Sequence, residues 1–229
     1  YNIRIYIMNN IDFKAIRNQF ESMIRFFDES KISNQKIFSV VFDLEFEFQS
    51  ILDTISTECN PIFFSNRDFS AFNLLREHNI SFFKQEEFEI KKNEITNLLS
   101  NSLFINTNQN YNTFIFGGFN FDLNESNNGI WDSIPIGNFT LPRYTFTNSK
   151  LVINLFAENK ITKIEIQKTI NKYIDDLPLI LFSGNVSDSK LVDSSNVTSK
   201  ELYNRKVNNL LKKLKKNNPD LIKAVLSRI

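Results

Sequence analysis

The chain has 229 residues, 41% of them hydrophobic, with 24 Phe against 5 Gly and 5 Pro. That composition excludes a disordered or collagen-like chain and is enough for a real core. Lys plus Arg number 27 and Asp plus Glu 26, so no global field favours nucleic acid or an anionic membrane. One cysteine, Cys59, excludes an internal disulfide, and one histidine, His78, excludes multi-histidine zinc sets and argues against a Ser-His-Asp triad. They read as a half-buried thiol and a surface imidazole.

Ile11 to Phe27 places Phe13, Ile16, Phe20, Met23, Ile24 and Phe27 on one helical face. Residues 36–45, dense in β-branched and aromatic side chains, read as a strand, and Phe46 to Ser56 as a helix. Ile62-Phe63-Phe64 before the turn Ser65-Asn66-Arg67-Asp68 predicts a hairpin into Phe69–Leu75. A helix over Glu86–Ser100 precedes a strand at Thr113–Phe116 that Gly117-Gly118 ends.

Residues 117–143 lack helical period and hold the single Trp131, which predicts a structured loop leading into a strand. Residues 143–157 read as a hairpin turning at Asn148-Ser149. Ile161, Ile164, Tyr173, Ile174 and Leu177 mark an amphipathic helix that Pro178 stops. The polar, Ser-rich stretch 183–198 is a linker, so 1–190 reads as a scaffold region and 191–229 as linker, helix and strand of a second domain. Thr198-x-x-Glu201 is a capping box for a helix with Leu202, Val207, Leu210, Leu211 and Leu214 on its apolar face. Leu221–Ile229 is the last strand. The expected class is α+β with mostly antiparallel sheet.

The chain starts at Tyr1 and stops on the apolar IKAVLSRI, so both ends are expected to be cuts in a longer protein. No apolar run reaches membrane-spanning length and the N-terminus is not a secretory signal, so a cytoplasmic location is expected. The Asn-x-Ser/Thr triplets then carry no glycan.

Gly117-Gly118 lacks the helix start that phosphate cradling needs. Lys212, Lys213, Lys215 and Lys216 form the solvated face of their helix rather than a nucleic-acid site. The acidic residues Asp43, Glu45, Asp122, Glu125 and Asp132 are too scattered to specify a metal site. Lys223 differs, because alternation sets it among Leu221, Val225 and Ile229. It is either an edge-strand lysine that blocks further pairing or a desolvated amine able to act as a base.

FGGFNFD at 116–122, Trp131, FTLPR at 139–143 and the terminal IKAVLSR at 222–228 resemble, in this order, motifs of isochorismate synthases. Phe38–Asp43 and NPIFFSNRD at 60–68 resemble that family's opening strand and aromatic strand. The resemblance covers roughly residues 36–229. Departures are the loss of a glycine near Asn73, an Ala-Val-Leu-Ser ending, and a poor match over the first 35 residues.

The resemblance implies an incomplete half of the chorismate-utilising, anthranilate synthase component I-like fold. It also implies chorismate as substrate and Lys223 as the base that activates water at C2. A glutamate acid and Mg²⁺ carboxylates are expected after residue 229, and the full-length enzyme is expected to be a monomer in menaquinone or siderophore biosynthesis. Anthranilate and aminodeoxychorismate synthases carry glutamine where Lys223 stands. A salicylate synthase fragment and a non-catalytic interaction module are the alternatives, and this chain alone is expected to be inactive.

Overall fold

A computed structural model describes residues 11–44, 55, 59, 61–65, 70–106, 113–120, 134–147 and 149–181, with positions 205, 208 and 212. The chain divides into two compact units, Tyr1–Asn185 and Val186–Ile229. In the second, Arg205, Asn208 and Lys212 are helical and exposed. The predicted helix at 46–56 lies outside the described residues except for Ile55, which is not helical, and the loop around Trp131, the capping box at Thr198 and the strand Leu221–Ile229 lie outside them too.

The first unit starts with helix α1, Phe13–Phe26. Asp12 caps it by accepting from the Ala15 N–H at 2.9 Å. Ile16, Phe20 and Ile24 form its buried face. At the other end the Lys163 ammonium donates to the carbonyls of Arg25 and Phe27, two acceptors a helix end leaves unpaired.

Strand β1, Ile37–Asp43, has six buried residues in a row, because it lies inside the sheet with a neighbour on each side. Strand β2, Ile62–Ser65, turns into β3, Ser70–Phe82. Helix α2, Phe88–Ser100, leads to β4, Ser102–Phe104. Then come β5, Phe116–Phe119, β6, Gly137–Thr147, β7, Lys150–Phe156, and helix α3, Lys163–Leu181. The seven strands form one sheet in the order β2-β3-β6-β7-β1-β4, with β5 paired to β6. Every pairing is antiparallel except β1 with β4, so the class is α+β as expected.

Helices α1 and α3 cover one face of the sheet. Phe38, Val40, Phe42, Phe72, Leu74, Tyr144, Phe146, Leu151 and Ile153 meet Phe20, Ile24, Ile170 and Ile174 there. Arg17 with Asp175, and Glu21 with Gln167 and Asn171, tie the two helices along their rim. On the opposite face, α2 packs Leu98 against Ile37, Ile80 and Leu141.

Three expectations change. The hairpin strand runs on to Phe82 rather than stopping at Leu75, because a bulge between Arg76 and His78 breaks the alternation without ending the pairing with β6. Leu75 takes a left-handed φ of 56° at that bulge, a strain of about 1–2 kcal/mol for a residue with a Cβ. Gly117-Gly118 lies inside β5 and does not end it: a Cβ at Gly117 would sit 2.1 Å from the Asn138 carbonyl oxygen, so only glycine allows this approach. Finally, α3 continues past Pro178 to Leu181. Buried Leu177 and Leu181 anchor the last turn on either side of the proline.

Candidate functional site

Strand β6 changes partner along its length. Its C-terminal half pairs β7 through Tyr144–Thr147, while its N-terminal half pairs β5 through Gly137–Thr140. The sheet therefore forks near Pro142, which tolerates a residue with no N–H because β7 has left and β3 bulges opposite it. The fork leaves the Phe156 N–H without a β6 carbonyl.

Glu77 fills the fork. One carboxylate oxygen accepts from the Phe156 N–H at 3.1 Å and from the Tyr173 hydroxyl of α3 at 2.8 Å. The other accepts from Arg143 Nε at 2.8 Å. The Glu77 side chain is 6% exposed and that of Arg143 26%. Arg143 also lies over the Tyr173 ring, 4.3 Å from its centroid. Burial works to discharge Arg143, but the Glu77 hydrogen bond and the nearby negative charge outweigh it and raise its pKa. Tyr173 is pushed well above the usual phenol range, by burial and then by the Glu77 charge. Tyr144, whose hydroxyl donates to the Tyr173 carbonyl at 2.8 Å, is raised chiefly by burial. The phenols stay protonated as donors, so the cluster locks β3, β6, β7 and α3 together.

Next to this fork lies a groove of about 690 Å³. Ile62, Phe63 and Phe64 of β2, Phe114–Gly117 at the start of β5, Asn138 and Thr140 of β6, and Arg76 at the bulge line it. Phe64 and Phe114 both stand about one ring from Phe116, at 6.4 and 6.1 Å. The groove therefore offers aromatic walls, one exposed guanidinium, an amide and a hydroxyl.

Arg143 belongs to the FTLPR motif, yet the sequence does not reveal its partner. Glu77 was missed. Its one signal was the triplet Arg76-Glu77-His78 directly after the strand pattern that ends at Leu75.

Lys223, expected as the catalytic base, lies outside the described residues, as do Glu45, Asp122, Glu125 and Asp132. Asp43 pairs with Lys150 at 2.9 Å on the surface. Cys59 is buried rather than half-buried, in the core beneath the helices. His78 is not a plain surface imidazole either: it stacks on Phe156 with ring centroids 3.8 Å apart. Among the described residues no three His, Cys, Asp or Glu side chains gather as a metal site requires. Mg²⁺ therefore has no ligand set among them. No described helix is long and apolar enough to cross a membrane.

The family model described as chorismate binding enzyme matches residues 19–229. No curated protein matches the chain. Among solved structures, the menaquinone-specific isochorismate synthase MenF from Escherichia coli is similar at 15% identity with a TM-score of 0.43. The match covers 82% of this chain and 37% of that one, so the chain spans little more than a third of that protein's length.

Proposed function

Because the chain belongs to the chorismate-binding enzyme family, we propose that it is part of an isochorismate synthase whose whole form isomerises chorismate, with Lys223 as the general base. The observation that carries this reading is the family match, which extends through the strand pattern bearing Lys223. In the strand that the sequence predicts over 221–229, alternation would set this amine beside Val225 and Ile229, and an apolar setting lowers a lysine pKa toward neutrality. A neutral amine can take a proton from water as its oxygen attacks C2, while the C4 hydroxyl leaves after protonation by a separate acid. Mg²⁺, when bound, would screen the substrate carboxylate; among the described residues no three His, Cys, Asp or Glu side chains gather to hold it, and none of the steps above depends on it. The described unit contributes a rigid scaffold held at its fork by Glu77 and Arg143.

Lys223→Gln in the full-length enzyme at saturating Mg²⁺ keeps size and polarity but removes the base. Turnover is expected to fall about 100- to 10,000-fold with little change in KM. Turnover close to that of the unaltered enzyme would remove Lys223 from the reaction.

A further inference from the structure

The scaffold groove has a polarity that its packing role does not require. We infer that it is a ligand site on the scaffold unit for a small ring-bearing carboxylic acid that also carries a hydroxyl. Arg76 is exposed at the groove, and among the described residues nothing pairs with its guanidinium. A free guanidinium beside apolar rings selects a carboxylate, which it can bind through two parallel N–H donors.

Two further features define the rest of the ligand. The Asn138 side-chain oxygen is buried and has no hydrogen-bond partner among the described residues, a cost that a ligand O–H would relieve. Phe64, Phe114 and Phe116 line the same groove and give it a wall for a flat apolar body. Arg76 is opposite Pro142, and Asn138 lies four residues along β6, about 13 Å away between backbones. A long arginine side chain spans part of that distance, and one ring with a carboxylate and a hydroxyl spans much of the rest. The Thr140 hydroxyl, which donates to Asn79 at 2.8 Å, keeps its lone pairs for a second ligand contact.

The test titrates 3-hydroxybenzoate into the ¹⁵N-labelled 229-residue chain and follows the Gly117 amide and the Asn138 side-chain amide. Saturable shifts of both are expected. Arg76→Gln should weaken binding about tenfold or more, and Arg76→Lys less. Acetate, lacking the ring, and phenol, lacking the charge, should each bind at least about tenfold more weakly than the probe. Lys223→Gln should leave the titration unchanged, while turnover of the full-length Lys223→Gln enzyme tests the catalytic reading on its own. No saturation up to about 10 mM, equal binding to the Arg76→Gln chain, or loss of binding in Lys223→Gln would each overturn the assignment.

Discussion

The two faces of the sheet follow the same alternation of side chains but are held by different forces. Under α1 and α3 the inward residues are aromatic and aliphatic, including Phe38, Phe42, Phe72, Tyr144 and Phe146 at 0–1% exposure. On the other face Ser39, Asn73, Thr145 and Asn154 are just as buried. There the polar groups satisfy each other across the strands. Ser39 donates to Asn154 directly opposite it at 2.7 Å, and Thr145 donates to Asn73 directly opposite it at 2.8 Å. The Asn154 amide then donates to the Pro142 carbonyl at 2.8 Å, at the fork. The apolar face is nondirectional and is stabilised by area and packing, whereas the polar face depends on register, since a slip of one residue would leave each buried amide unpaired.

The largest effect is expected on the apolar face. Phe38→Ala should cost about 3–5 kcal/mol, measured by urea unfolding, as a large buried ring is replaced by a cavity. A loss below about 1 kcal/mol would show that this face is not the main source of stability.

At the fork, Glu77→Ala strips Arg143, Tyr173 and the Phe156 N–H of one shared acceptor. A fully buried broken ion pair costs about 3–5 kcal/mol; because Arg143 is a quarter exposed, we expect about 2–3 kcal/mol. Glu77→Gln should recover part of the loss by keeping an acceptor. Equal losses for the two substitutions would mean that charge, not hydrogen bonding, holds the fork.

The polar face gives a smaller effect with a distinctive signature. Asn154→Ala should cost about 1–2 kcal/mol by orphaning the Ser39 hydroxyl and the Pro142 carbonyl. Adding Ser39→Ala should cost less than the sum of the two single changes, because the pair is removed together. Additive losses in urea unfolding would show that Ser39 and Asn154 do not act as a pair.

The smallest effect is set by pH. Burial lowers the His78 pKa below its ordinary 6.5 as the imidazole stacks on Phe156. The unfolded chain therefore takes up the proton first as pH falls, so stability should decline from about pH 6.5 down to the lower folded value. His78→Gln should flatten that part of the melting-temperature profile, and an unchanged slope would assign the decline to other groups.

These contrasts separate what could be read in the chain from what could not. The α1 period, the β1 run, the hairpin into β3, and the β6–β7 hairpin were legible because each is a local pattern of apolar spacing and turn residues. The Leu-Pro-Arg motif was legible as a marker of family, but its physical role was not. That role needs Glu77, 66 positions away in sequence, brought across a bulge.

By itself the sequence determined the fold class, the order of the elements named above, and the family that the match over 19–229 bears out. Only the tertiary structure decided where β6 exchanges β7 for β5, that β4 joins β1 in parallel, and that α3 outlasts Pro178. It also brought Arg76 and Asn138 to one groove. Periodicity reports which way a side chain faces on its own element, while strand exchange and side-chain partnership depend on contacts between residues far apart in the chain, which no local pattern records.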